Sequence, residues 1–274
     1  MSESGYSSDE YENEAFFKSE MKNFKSSYEV SSLVMMSANG KIYLGKDKVT
    51  GNDVIIKILP RKANLTWVGD RRIPREVKYH FLAAGVDIGS VQILDFYERK
   101  KDFILILEKP ENSIDLLEFT NTYGPLDFKM AKSICKQLAI SSLAHQSAGV
   151  CHRDLKDENV LFNPSTGQVK IIDYGCATAH QDEYTSYAGT QAYAPPEFLQ
   201  TGSMTSDKMT SYHIGCIFFT ILTRSCPFSE NSDFDYEKFV TLNSNLSFEE
   251  RSILSKLLQP NPDSRISLLD LSNL

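Results

Sequence analysis

Hydrophobic positions in the first hundred residues alternate more often than they recur at helical spacing. Lys41–Leu44 and Val54–Leu59 flank Thr50-Gly51-Asn52-Asp53, a polar turn containing glycine, and this pattern predicts a β-hairpin. Val91–Tyr97 and Phe103–Leu107 predict a second strand pair around the charged turn Glu98-Arg99-Lys100-Lys101-Asp102. Pro74–Ala84 is the one helical stretch among these strands, with proline suited to a first turn. After Pro110 the period changes. Ala131, Ile134, Cys135 and Leu138 recur at three and four residues behind Asp127, a good N-cap, and predict a helix ending near Gly149. Asp207–Thr223 is apolar enough for a buried helix, and Ser247-Phe248-Glu249-Glu250 is a capping-box pattern that opens another, to Leu258. The chain therefore divides into a β-rich half (25–107), a junction (108–112) and a larger helical half (113–274), with the cleft between halves as the expected ligand site. Residues 1–24 are polar and lack a sustained apolar period; they read as an acidic, disordered tail with a short helix around Phe16–Phe24.

Composition narrows the function classes. With 274 residues, 41% hydrophobic and 24% charged, the chain is neither wholly disordered nor collagen-like nor membrane-embedded. A net charge of −7 argues against a broad nucleic-acid-binding face, which needs clustered Lys and Arg. Residues 1–20 hold six acids (Glu3, Asp9, Glu10, Glu12, Glu14, Glu20) against Lys18, so much of the excess lies at the front. The five cysteines (Cys135, Cys151, Cys176, Cys216, Cys226) form no C-x-x-C pair, which favours free thiols in a reducing, intracellular compartment, cytoplasm or nucleus. No basic-then-apolar signal segment is expected from the opening residues, and the apolar run Ile214–Leu222 is too short to span a bilayer.

The candidate chemistry sits in the helical half. His152-Arg153-Asp154-Leu155-Lys156-Asp157-Glu158-Asn159 precedes Val160-Leu161-Phe162, and Asp173-Tyr174-Gly175 follows after the apolar strand Val169–Ile172. An Asp and an Asn five apart on a loop, then a second Asp opening a turn at Gly, can place one base and two oxygen ligands around a metal-bound phosphate. Upstream, Lys57 interrupts the β-branched run Val54-Ile55-Ile56; a lysine there ordinarily faces solvent, but Glu76 in the only predicted helix of that half offers it a partner. Glu197 in Ala194-Pro195-Pro196-Glu197 and Arg265 are expected to form a structural ion pair whose loss destabilises the helical half.

Together these residues resemble a eukaryotic-type protein kinase, and Lys156 and Gly189-Thr190 resemble its serine/threonine class. Leu107-Glu108-Lys109-Pro110-Glu111, Asp70 with Arg71-Arg72-Ile73-Pro74-Arg75-Glu76-Val77, Lys156-Asp157-Glu158-Asn159 and Tyr193-Ala194-Pro195-Pro196-Glu197 resemble elements of the Pim kinases, a likeness that runs from about Tyr28 to Arg265. The resemblance implies an α+β, bilobal protein-kinase fold with a small β-rich N-lobe and a larger, mainly helical C-lobe. It also implies transfer of the ATP γ-phosphoryl group to Ser or Thr of protein substrates, with Mg²⁺ as cofactor, in a monomer without nucleic-acid or membrane partners. By the same resemblance, Lys57 and Glu76 serve the α/β-phosphates, Asp154 is the catalytic base, Lys156 steadies the transferred group, and Asn159 and Asp173 hold the metal. Gly40 and Ile42 belong to the phosphate loop, and Leu107 and Glu108 to the adenine site. Because Pro110 lacks an N–H donor, the Glu108 carbonyl and apolar walls hold the adenine. Asp115, Glu118 and Glu158 correspond to acidic positions that receive substrate arginines, although Asp115 and Glu118 at i and i+3 also suit a plain solvated helix face.

Some positions depart from the pattern. Counting back from Lys57, Gly40 falls on the third glycine of the phosphate loop, while Met35 and Ser37 fill the first and second. Side chains there hinder close backbone approach to phosphates and motivate an alternative reading, a pseudokinase scaffold with weak or no transfer. A small-molecule phosphotransferase of related fold fits less well, given Thr190 and the Ala-Pro-Pro-Glu element. Tyr174 replaces the usual Phe, and Thr210 stands where many kinases, though not Pim kinases, carry Asp. Thr185, Ser186 and Tyr187 lie where activation-loop phosphorylation occurs, with Arg153 as the group to receive a phosphate; Ser229–Tyr236 has no assigned role.

Overall fold

The computed structural model describes residues 8–37, 40–62, 64–225 and 246–274 and divides into two compact units, 1–78 with 91–110, and 79–90 with 111–274. The first unit is an antiparallel sheet of β1 (Tyr28–Ser37), β2 (Gly40–Asp47), β3 (Asp53–Pro60), β6 (Ile93–Glu98) and β7 (Asp102–Glu108), in the order β1-β2-β3-β7-β6. Both hairpins expected from the alternating pattern form. Beside the sheet, β4 (Leu65–Val68) and β5 (Arg71–Pro74) make a separate hairpin that leads into α2 (Arg75–Ala84).

Side chains alternate across a strand, so the two central strands bury both faces. Val54, Ile56, Ile104 and Ile106 pack on one face with Phe24, Tyr28 and Tyr97. Leu59, Phe103 and Leu105 pack on the other with Val77 of α2. Phe24 comes from α1 (Ser8–Ser27), which contains the short helix expected around Phe16–Phe24 and extends it back over residues 8–15, read as tail; residues 1–7 lie outside the described residues. Three apolar positions, Phe17, Met21 and Phe24, hold α1 on the unit. Phe24 is 6% exposed, Met21 packs beside it, and Phe17 stacks under the Arg61 guanidinium at 5.4 Å. Burying Phe24 contributes about 2 kcal/mol, which helps a polar helix beat its ordering entropy. Glu20 accepts a hydrogen bond from the Glu98 amide (3.2 Å), and Lys48 Nζ donates to the Lys25 carbonyl (2.6 Å) in the last turn.

The second unit is mainly helical. Its centre is α6 (Ser206–Thr223), buried along most of its length, packed against α4 (Phe128–Ser147). Asp127 caps α4 by accepting from the Met130 amide (2.9 Å), as expected. Short helices α3 (Leu116–Tyr123) and α5 (Pro196–Thr201), then α7 (Phe248–Leu257) and α8 (Leu268–Ser272), complete it; α7 opens on the expected Ser247/Glu250 capping box. The strands β8 (Ile114–Asp115), β10 (Val160–Asn163) and β11 (Gln168–Ile171) form one small sheet, and β9 (Val150–Cys151) pairs β12 (Thr178–Ala179). No helix among the described residues is long and apolar enough to cross a membrane. Cys135, Cys151, Cys176 and Cys216 are free thiols; Cys226 and the segment Ser229–Tyr236 lie outside the described residues.

Candidate active site

The first unit holds a buried lysine and a hairpin. In β3, Lys57 alternates with Ile56 and Ile58 and shares a face with Leu59, the face that α2 covers. Its ammonium therefore meets Glu76 in the first turn of α2 rather than water, each side chain being 11% exposed. Ile42 pairs with Lys57 across the strands, and Gly40 opens β2 at φ 147°, where a Cβ would collide with the Ile58 carbonyl oxygen. β1 stays paired with β2 as far as Ser37 opposite Gly40, so Met35 and Ser37 belong to the ladder, Met35 just after a register shift from Leu33, and Met35 and Met36 are exposed. Leu107 and Glu108 end β7; the Glu108 carboxylate accepts from the Gln92 amide (2.8 Å).

The second unit assembles the loop after β9. Asp154 Oδ1 accepts two bonds from Thr190, from its amide (2.8 Å) and its hydroxyl (2.9 Å). Asn159 Nδ2 donates to the Asp154 carbonyl (2.8 Å) and to its Oδ2 (3.2 Å), so the Asp and Asn five apart fix one another. The Ile172 amide donates to the Asn159 carbonyl (3.0 Å), which places Asp173 beside this loop. Asp173 takes φ 61°, a left-handed conformation that costs a non-glycine residue energy and persists where neighbours enforce it. Lys156 Nζ pairs with Glu158 Oε2 at 2.5 Å. Burial alone would lower the Lys156 pKa, but the Glu158 hydrogen bond and the Asp154 and Glu158 charges outweigh it and hold the ammonium protonated.

Supporting contacts fix the loop. Buried His152 is neutral, its pKa lowered to about 4 by burial and then by the nearby His145 charge. Its Nδ1 accepts from the Asp154 amide (3.3 Å), which leaves Nε2–H to donate to the Ile172 carbonyl (3.1 Å). Arg153 donates to the Ser186 carbonyl and lies 4.7 Å over the Tyr184 ring. Thr185 and Ser186 are exposed, whereas Tyr187 is half-buried with its hydroxyl donating to the Thr190 carbonyl (3.0 Å). Glu197 and Arg265 form the expected buried ion pair through two parallel 2.8 Å bonds. The Thr210 hydroxyl returns to the Ser206 carbonyl (2.8 Å) within α6.

Asp115, Glu118 and Glu158 come together on the second unit. Asp115 pairs with Leu161 of β10, three residues beyond Glu158, and α3 packs on the turn Asp157–Asn159. Asp115 is also the N-cap of α3, accepting from the Glu118 amide (2.8 Å), so one of its oxygens is already engaged. Two features went unforeseen in the sequence. The Tyr193 hydroxyl donates to Asp157 (2.9 Å), tying the Ala-Pro-Pro-Glu element to the loop. The Tyr174 hydroxyl enters a buried network with Ser90, Asp87 and His145. Neither forms a local motif, because the partners are 29 to 87 residues apart or carry no chemistry alone.

Residues 28–273 match the protein kinase domain family. The chain belongs to that family. Its relatives are serine/threonine kinases and place it in that class of enzymes, as transferases. Serine/threonine-protein kinase pim-2 of Danio rerio is 29% identical over 264 residues, covering 92% of this chain and 84% of that protein. Serine/threonine-protein kinase prk-2 of Caenorhabditis elegans is 26% identical, covering 89% of this chain and 57% of that protein. The solved structure of Rad53 1-466 in complex with AMP-PNP superposes with a TM-score of 0.71 at 22% identity, over 91% of this chain and 65% of that one. That likeness shows the fold: the α+β protein kinase fold, with an antiparallel N-lobe sheet and a helical C-lobe.

Proposed function

We propose that this kinase domain transfers the γ-phosphoryl group of ATP to Ser or Thr residues of proteins, preferring sites near arginines. The observation that carries the reading is the mutual fixing of Asp154 and Asn159, with Asp173 brought beside their loop by the Ile172–Asn159 bond and Lys156 paired to Glu158. Asp154, aligned by Thr190, accepts or orients the proton of the substrate hydroxyl. Lys156 steadies the moving phosphoryl group, and Lys57, held by Glu76, orients the α/β-phosphates. Positioning and electrostatic stabilisation account for most of the acceleration in such reactions, so these groups act as a unit. Gly40, Ile42, Leu107 and the Glu108 carbonyl line the nucleotide site. AMP-PNP, bound in the Rad53 structure, is an ATP analogue and supports the nucleotide assignment.

Mg²⁺ fits the residues present. Asn159 directs its amide nitrogen to Asp154, which leaves its Oδ1 as a hard oxygen donor, and Asp173, one residue past the Ile172–Asn159 bond, adds a carboxylate, the ligand types this ion takes. When bound there, the ion neutralises phosphate charge. The arginine preference rests on Asp115, Glu118 and Glu158 sharing one region, where carboxylates suit guanidinium groups. A monomer in the cytoplasm or nucleus suits the free thiols. The test is transfer from ATP–Mg²⁺ to an arginine-rich Ser/Thr peptide, beside D154N, D173A and an arginine-free peptide. Transfer lost in both variants and reduced without the arginines is expected. No transfer above the variants, across peptides and at high ATP, would instead favour the scaffold reading suggested by the paired Met35–Ser37 ladder.

A further inference from the structure

A tyrosine in place of the usual phenylalanine after Asp173 carries a hydroxyl into the interior, and that hydroxyl finds a buried acceptor. Tyr174 is 0% exposed. Its ring stacks on His80 (centroids 4.4 Å apart, planes at 18°) and meets the edges of His145 and His152 at 5.8 and 4.9 Å. Its hydroxyl donates to Ser90 Oγ at 2.7 Å. Ser90 Oγ donates to Asp87 Oδ2 (3.0 Å) and also accepts from His145 Nε2 (2.8 Å), which shares its proton with Asp87 Oδ2 (3.1 Å). Ser90 thus gives its one proton and fills both lone pairs, so the order of donors runs one way, from Tyr174 through Ser90 to the Asp87 carboxylate. The receiving end is anchored. Asp87 accepts from the Gly89 amide (2.9 Å), Ser90 bridges Ile171, and the Ile171 amide donates to the Gly89 carbonyl (2.7 Å). Gly89 permits this approach, since a Cβ would run into Ser141 and Asp87.

We infer that Tyr174, Ser90, Asp87 and His145 form a hydrogen-bonded latch that positions Asp173 for phosphotransfer. Asp173 sits in a left-handed conformation one residue from the latched ring, and such a conformation survives only where its surroundings over-determine it. Upstream it is held by the Ile172–Asn159 bond; downstream the fixed ring of Tyr174 and the Ala177 amide on the Tyr174 carbonyl (3.0 Å) hold it. A phenylalanine would keep the stack on His80 and lose only the tether. The four are positioning residues, and the inference rests on the metal-holding role proposed for Asp173.

The test compares wild type with Y174F, S90A and the double variant in two measurements. Amide exchange of residues 172–177 in the nucleotide-free protein should quicken by about tenfold or more in each variant, and in Y174F the urea midpoint should stay near that of wild type. The Mg²⁺ concentration for half-maximal transfer should rise about fivefold or more in both single variants, and by a similar factor in the double, because both cut one chain. The peptide KM should move by less than about twofold. Unchanged exchange in Y174F, or quickened exchange with an unchanged Mg²⁺ requirement, would overturn the latch. Wild-type protein that transfers no phosphate would overturn the phosphotransfer reading instead, and the exchange data would still decide the tether.

Discussion

Replacing Glu197 by alanine removes one end of a buried ion pair whose guanidinium is fully hydrogen-bonded. Arg265 is 2% exposed, and each of its five N–H groups has an acceptor. Nε and one Nη2 proton reach the Gln259 carbonyl (3.0 and 2.7 Å), one Nη1 proton reaches the Lys208 carbonyl (2.8 Å), and the remaining two reach Glu197. In E197A three of the five bonds remain and the guanidinium keeps its charge without a counter-ion. Removing one partner of a buried pair costs about 3–5 kcal/mol, because the uncompensated charge stays in the interior. For a chain of this size that lowers Tm by about 6–20 °C. Far-UV circular dichroism during heating reads the second unit directly, whereas the single tryptophan, Trp67, lies in the first and is 63% exposed. R265A should cost at least as much, and E197A/R265A less than the sum, with a coupling of about 2 kcal/mol or more. Below its own Tm, E197A should transfer phosphate with kcat within about threefold of wild type, since Glu197 supports the loop without meeting the reacting atoms. A stability loss under about 1 kcal/mol, or a hundredfold loss of kcat in folded E197A, would refute this reasoning.

Three further expectations concern the site and its setting. Lys57→Ala and Glu76→Gln should both cut kcat/KM for ATP by about a hundredfold, with the double variant no worse than the lysine variant; additive losses would break the Lys57–Glu76 unit. His152 and His213 are buried, with pKa values lowered to about 4 and about 3 chiefly by burial, so the unfolded chain binds their protons first. Stability is then full above pH 6.5 and falls as pH drops toward 4, by about 2 kcal/mol per histidine at pH 5, and urea midpoints equal at pH 7.5 and 5 would contradict it. Arg153 already has the Ser186 carbonyl and the Tyr184 ring, so T185A/S186A should keep transfer within about twofold of wild type and Y184A should lose about tenfold or more; phosphatase-sensitive activity would contradict this.

How far the chain could be read from its residues depended on where the partners lie. Motifs that fold locally were plain: Asp154 and Asn159 bond across five residues, and the capping box at Ser247 and the cap at Asp127 act within one turn. The strand pairs were legible because alternation and a turn residue specify a hairpin together. Helix α1 was read too short, for a physical reason. Its apolar stripe of Phe17, Met21 and Phe24, spaced four and three, is too thin to stand out against acids and serines, and the sheet face that rewards it comes from β3, β6 and β7. Lys57 shows the converse. Alternation assigned it to one face of β3 but could not say that the face would be covered; Val77 and Glu76 of α2 cover it, converting a solvent lysine into a paired one. Tyr174 lay furthest out of reach. Its substitution for phenylalanine adds one oxygen, which gains meaning only when residues 87, 90 and 145 converge on it. The same logic separates Asp115 from Glu158. Asp115 does double duty as the α3 cap, so D115A should lose about 1 kcal/mol of stability besides any effect on arginine-containing peptides, whereas an effect of E158A should fall on the peptide and on Lys156.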